Sequence, residues 1–261
     1  TDLLAVAGIE QAVRLLTGTS QFGAAGVWPE LLVLAQARPG RFSARDVARL
    51  KQCAPLARIL GLLGSWCEGE TRSGTAWPAT QRCFWYQWPA RFESELDRIG
   101  RGLCPAWGLP ETASTDEQLL WTSAVSDAAS RGEGTILVAA RSMATADAVA
   151  DACCAAGLAA EAVATLTHDG GVGPPDGRTF WPLTAAIWEG TRCEADEAAE
   201  LAAFCARYGP TPTVVLLDFP RRDNRATAIA AGARGVVAKP FQLEDLVWQV
   251  RKAMSKDLQL G

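Results

Sequence analysis

The sequence predicts an α/β protein of two modules, each a doubly wound parallel sheet held between helices in three layers. Three observations carry this. Short apolar runs of strand length alternate with helical patterns along most of the chain. The runs are apolar at successive positions, so both faces of each strand must be covered, as in parallel sheets. Finally, WPELLVLA…APLARILGLL in the first half aligns with WPLTAAIW…GPTPTVVLL in the second, which points to an internal duplication. With 261 residues, 49% of them hydrophobic, the chain can build two modest cores.

The second half reads most clearly. Thr135 to Ala139 (TILVA) is a short buried strand. Ser142 caps a helix that runs to Ala156 and stops at Gly157. Leu158 to Ala164 is a weaker strand, and the Gly-, Pro- and Asp-rich stretch Thr167 to Pro182 is a loop. Leu183 to Trp188 has strand length. Glu194 to Tyr208 places Ala198, Leu201, Ala202 and Cys205 at helical spacing, ended by Gly209-Pro210. Thr213 to Leu217 (TVVLL) is strongly β-branched. A helix over Asn224 to Ala231 stops at Gly232, and a strand over Gly235 to Ala238 leads into Lys239-Pro240. The last helix, Leu243 to Met254, keeps Leu243, Leu246, Val247 and Val250 on one stripe. This order requires right-handed crossovers.

The first half repeats part of that grammar. A strand over Leu3 to Val6 and a helix over Ile9 to Leu16 precede a buried strand, Leu31 to Ala35 (LLVLA). Ser43 and Asp46 form a capping-box start for a helix carrying Val47, Leu50 and Ala54. Ile59 to Leu63 is a strand, Cys67 to Thr80 a polar loop, Cys83 to Tyr86 a strand and Phe92 to Ile99 a helix. One strand–helix pair is too few before Leu31 for a five-stranded module, so the expected first module, 1–102, lacks its first strand and helix. Residues 103–133 contain Pro105, Pro110 and a Ser/Thr/Asp/Glu stretch and read as a linker, with a helix over Glu117 to Ala129 packing by Leu119, Leu120 and Trp121. The second module spans 134–257.

Composition removes several function classes. No run of about 18 apolar residues occurs, so no membrane span is expected. Thr1-Asp2-Leu3-Leu4 shows no secretory leader, and the missing Met points to a piece of a longer chain. A net charge of −4 without a clustered basic face argues against nucleic acid. The eight cysteines include no C-x-x-C and there is one histidine, His168. Reduced, mostly buried thiols are expected, with no metal and no cofactor. The segment Asp169–Gly173 fits neither G-x-G-x-x-G nor a P-loop.

Thr213 to Val250 resembles the C-terminal third of a response-regulator receiver domain. TVVLLD, AIAAGARGVVAKPF and QLEDLVWQV carry the likeness, and A-x-x-x-G-A-x-G-x-x-x-K-P-F is fairly specific. With ILVAAR at Ile136 and the AAIWEG strand it covers nearly all of Gly134 to Lys256. In the first half PELLVLAQARPG and CFWYQWPARFESEL resemble the same family more weakly. The resemblance implies a flavodoxin-like fold and a cytoplasmic protein of a two-component system. Its chemistry needs an Asp nucleophile after the third strand and acidic residues after the first to hold Mg²⁺ by oxygen. It also needs a Ser or Thr after the fourth strand and a Lys after the fifth, all at the carboxyl edge of the sheet.

This chain departs from that set. The acidic pair falls on Ala140 and Arg141, the nucleophile on Glu189 (or Gly190), the Ser/Thr on Asp218, and the Lys alone persists as Lys239. In the first module the nucleophile position falls on Ala35 or Gln36 and the Lys position on Gln87 or Trp88. Both modules are therefore expected to be pseudo-receivers: non-enzymatic protein-interaction and regulatory units in a phosphorelay-type pathway. The four charges Arg141, Glu189, Asp218 and Lys239 are read in two ways. Either they form a fixed network with Arg141 in place of the metal, or they are solvated rim charges worth at most ~1 kcal/mol per pair. A receiver phosphorylated on an unusual acceptor is the alternative.

A second candidate is the loop Trp66–Gly74, read as a structural loop, as a contact for a partner or small ligand through Trp66, Glu68, Glu70 and Arg72, or as an enzyme site. No nucleophile–base pair accompanies it. Five of the ten tryptophans, Trp66, Trp77, Trp85, Trp88 and Trp107, cluster in sequence. They serve either an interface, between modules or with another protein, or the core.

Overall fold

The computed structural model describes residues 3–18, 28–68, 77, 80–110, 112–113, 117, 121, 134–164 and 182–255. The chain divides into two compact units, Thr1–Trp88 with Arg98–Thr115, and Pro89–Asp97 with Asp116–Gly261. The fold class is α/β, with parallel sheets and flanking helices.

The second unit is a doubly wound sheet of the flavodoxin-like order. Its elements are β4 (Thr135–Ala140), α4 (Met143–Ala155), β5 (Ala160–Ala164), β6 (Leu183–Glu189), α5 (Ala195–Tyr208), β7 (Thr213–Asp218), α6 (Arg222–Ala230), β8 (Gly235–Lys239) and α7 (Leu243–Met254). The strands lie in the order β5-β4-β6-β7-β8, all parallel. Successive residues of a strand point to opposite faces, and the two cores sort accordingly. Ile136, Val138, Ile187, Val214, Leu216 and Val237 pack with α4 and α7. Leu137, Ala139, Trp188, Val215, Leu217 and Val236 pack with α5 and α6. Val214, Val215, Leu216 and Leu217 are each at most 1% exposed, and burying each such side chain stabilises the fold by ~1.5–3 kcal/mol. Ser142 caps α4 by accepting the Thr145 N–H at 3.1 Å. Gly157 (φ 79°) and Gly232 (φ 108°) follow α4 and α6 in the left-handed conformation that suits glycine.

The first unit is smaller. Its described elements are α1 (Ile9–Thr17), β1 (Leu31–Gln36), α2 (Ala44–Cys53), β2 (Arg58–Leu63) and β3 (Gln81–Phe84), with 3₁₀ turns at Ser65–Cys67 and Ala106–Gly108. The three strands are parallel in the order β1-β2-β3. Val13, Leu16, Val47 and Leu50 cover Leu34, Ile59 and Leu63 on one face. The Ser43–Asp46 capping box opens α2, and Arg49 of α2 donates to Glu10 of α1 at 3.0 Å.

Several expectations move. Leu3 to Val6 forms no strand. Leu3, Leu4 and Val6 are 91%, 54% and 37% exposed, so their apolar surface finds no sheet to join. The strand expected at Cys83–Tyr86 begins at Gln81, because its polar start is satisfied: Gln81 Nε2 donates to the Ala106 carbonyl at 2.6 Å, and Arg82 to the Cys67 carbonyl at 3.1 Å. The helix expected at Phe92–Ile99 spans Trp88–Gly100 (α3). Its residues 89–97 belong with the second unit, where Arg91 holds Asp245 through two hydrogen bonds of 3.0 and 3.3 Å and Glu93 accepts from Lys252 at 2.5 Å. Residues 167–181 of the expected Thr167–Pro182 loop, His168 among them, and most of the linker lie outside the described residues, although Glu117 and Trp121 are helical. All eight cysteines are free thiols; Cys104 and Cys154 are exposed and Cys67, Cys83, Cys153 and Cys193 buried. Burial pushes the Cys153 thiol up to about 12. No described helix is long and apolar enough to cross a membrane.

Candidate functional site

In the second unit the chain leaves β4 toward β5, then crosses back to β6 on the other side of β4. The connections therefore diverge between β4 and β6, and open α/β sheets bind ligands at the carboxyl edge of such a switch point. The ends of β6, β7 and β8 meet at this edge, where Phe219 N–H donates to the Lys239 carbonyl at 3.3 Å. Gly190 N–H donates to the Leu216 carbonyl at 3.0 Å, and Asp218 N–H to the Thr191 carbonyl at 2.7 Å.

Strand phase decides which side chains share a face here. Ala185 and Ile187 face α4 and α7, and Glu189 continues their phase; Val214 and Leu216 set that of Asp218, and Val237 that of Lys239. These three charges meet. Lys239 Nζ donates to Glu189 Oε1 and lies 3.1 Å from Asp218 Oδ1. One ammonium thus bridges two carboxylates. The Glu189 and Lys239 side chains are only 11% and 22% exposed, Asp218 46%, so the Lys239–Glu189 pair is shielded from water while Asp218 is partly hydrated.

Arg141 takes another direction. Leu137 and Ala139 face α5 and α6, and Arg141 continues that phase. Its guanidinium pairs with Glu197 in the first turn of α5, and only its main-chain N–H reaches Glu189, at 3.3 Å. A guanidinium standing in for a metal beside Glu189 is therefore corrected: alternation sends it to the opposite face.

Glu197, not singled out by the sequence reading, organises this second cluster. Its carboxylate accepts the N–H of Thr191 (3.0 Å), Arg192 (2.9 Å) and Cys193 (2.7 Å) and the Thr191 hydroxyl (2.8 Å). Burial would raise its pKa, but the hydrogen bonds from Thr191, Cys193 and Arg192 outweigh it and hold the carboxyl below its ordinary value. The same bonds hold Cys193 at φ 53°, a left-handed conformation that costs a non-glycine residue ~1–3 kcal/mol. Phe219, next to Asp218, is also left-handed at φ 43°. Both strained residues border the site.

The residues do not fit Mg²⁺ as receivers hold it. Ala140 is fully buried and offers no side-chain ligand, Arg141 is a cation, and the Glu189 carboxylate is engaged by Lys239. Mg²⁺ demands oxygen ligands in near-octahedral array.

The other sequence-derived candidates lie in the first unit. Ala35 and Gln36 end β1, Gln87 lies in the turn after β3, and Trp88 starts α3. Trp66 is 73% exposed, and Glu68 accepts the Tyr86 hydroxyl at 3.0 Å. Glu70 and Arg72 lie outside the described residues. Trp77 and Trp107 are core residues, each 8% exposed.

No known family's profile matches this chain, and no curated protein matches it. Solved structures do. A putative pilus assembly-related protein from Burkholderia pseudomallei is similar at 16% identity and TM-score 0.38, over 48% of this chain and 92% of that one. An orphan response regulator of H. pylori has the same identity and TM-score, over 48% of this chain and 100% of its own. A response regulator receiver domain protein (CheY-like) from Methanospirillum hungatei is also similar at 16% and 0.38, over 47% of this chain and 94% of its own.

Proposed function

We propose that the second unit is a pseudo-receiver: a non-catalytic protein-interaction and regulatory module of a cytoplasmic, phosphorelay-type pathway that takes no phosphoryl group itself. The observation that carries this reading is the single bridge from Lys239 to Glu189 and Asp218. A receiver lysine balances phosphoryl charge; here two resident carboxylates supply that charge permanently. Ala140 ends the first strand of this unit and Arg141 follows it, where acidic residues would be needed to bring a metal. The first unit is read as a reduced relative of the second. Its three parallel strands, with a helix between β1 and β2, repeat the order of β6, β7 and β8.

Incubating the full chain with acetyl phosphate and Mg²⁺ and measuring its intact mass tests the reading. The expected spectrum is that of the unmodified chain. A stoichiometric acyl-phosphate adduct overturns it and favours a receiver with an unusual acceptor.

A further inference from the structure

Outside the charged corner, the carboxyl edge of the first unit carries exposed groups that the fold does not use. Trp66 is 73% exposed, and the Arg38 guanidinium sits over its ring, 5.4 Å from the centroid. Among the described residues, the segment Gly64–Glu68 around Trp66 is nevertheless held by several hydrogen bonds. Trp85 Nε1 donates to the Ser65 hydroxyl at 3.0 Å, and Arg82 donates to the Cys67 carbonyl at 3.1 Å. Cys67 is fully buried and Tyr86 donates to Glu68. Gly64 N–H donates to the Gln36 carbonyl at 2.8 Å, and a Cβ on Gly64 would stand 2.3 Å from the Ala37 carbonyl oxygen. Only glycine lets the loops after β1 and β2 come together so that Arg38 reaches Trp66. An exposed tryptophan on a rigid segment loses little entropy on binding, which is how interface anchors are built.

The neighbouring charge has one sign. The stretch Arg38-Pro39-Gly40-Arg41-Phe42-Ser43-Ala44-Arg45 holds three arginines and no acid, on a chain of net charge −4. All three are exposed. The next residue, Asp46, is spent on the Ser43 cap. Arg38 and Arg41 stack on Trp66 and Phe42, and among the described residues neither has a carboxylate partner. At the same edge the Gln36 side chain, 2% exposed, leaves both amide atoms without a partner, a cost of ~1–3 kcal/mol for each such group in an isolated fold.

We infer that this edge docks an acidic segment of a partner protein, whose carboxylates pair with Arg38, Arg41 and Arg45 while an apolar side chain covers Trp66. This deepens the interaction-module reading by naming the partner's chemistry. It stands on the first unit, so a phosphoryl adduct on the second would end that reading and leave this one standing.

The probes are two fluorescein-labelled peptides and fluorescein-labelled oligothymidylate, each titrated by anisotropy with the full chain. One peptide alternates Asp and Glu around a central Leu, and the other replaces the acids by Lys. The acidic peptide is expected to bind saturably, to weaken with added salt, and to weaken at least about tenfold in both Arg38→Glu and Trp66→Ser. Both residues are exposed, and unchanged circular dichroism verifies that the variants fold. Absence of saturable binding, equal binding of the Lys peptide, or indifference to both substitutions overturns the inference. Tighter binding of oligothymidylate overturns the assignment to a protein partner.

Discussion

The most consequential residue is one whose type looks ordinary. A glutamate in the first turn of a helix is favourable simply because it meets the positive end of the helix dipole, so Glu197 gives little sign in the sequence of collecting three backbone N–H groups, a hydroxyl and a guanidinium. The signal was present in weak form: Glu197 stands three residues after the α5 cap Glu194, the capping-box spacing, behind a Thr-Arg-Cys turn. Glu197→Gln keeps the shape but removes the charge and substitutes a donor for one acceptor. It is expected to destabilise the second unit by about 2–3 kcal/mol, the worth of charge-assisted hydrogen bonds. Because the folded pKa lies below the ordinary 4.5, the stabilisation is complete above that value and disappears as pH falls through the folded one. Amide exchange at Thr191–Cys193 checks this. Protection should drop in the variant at neutral pH, and the two proteins should converge in acid; equal protection at neutral pH contradicts it.

At the scale of elements, the second unit was nearly all legible. TVVLL, TILVA and the Leu243 stripe are long enough and pure enough in period to locate a strand, a strand and a helix within a residue or two. What escaped was the consequence of phase: Arg141, Glu189, Asp218 and Lys239 lie at strand ends in order, but one residue of offset sends Arg141 to α5. The placement of residues 89–97 was also hidden, since no local pattern announces that Arg91 meets Asp245 more than 150 positions away. Asp245 is 4% exposed, and burial raises its pKa against the pull of Arg91. Removing Arg91 leaves a buried carboxylate without its cation, so Arg91→Ala should cost about 3 kcal/mol at neutral pH. A raised folded pKa means that stability falls as pH climbs from the ordinary 3.8 through the folded value. The deficit should therefore shrink on acidification, and Asp245→Asn should recover part of it. Urea denaturation of the three variants across pH measures this; a deficit that is absent, or constant with pH, contradicts it.

At the scale of the whole molecule, two units of unequal completeness share one strand grammar. The first lacks a counterpart for β4 and β5 among its described residues, and Leu3–Val6, which has the composition of a strand, remains exposed. Composition announces a strand, but only a partner edge makes one. The second unit is complete, and its carboxyl edge is neutralised from within: Lys239 by Glu189 and Asp218, Arg141 by Glu197. A corner held this way should not respond to a phosphoryl group. Two-dimensional NMR of the ¹⁵N-labelled chain, titrated with Mg²⁺ and then beryllium fluoride as an acyl-phosphate mimic, tests that claim most directly. The amides of Ala140, Gly190 and Phe219 are expected to stay in place throughout; saturable shifts at these three, requiring both additions, would contradict it.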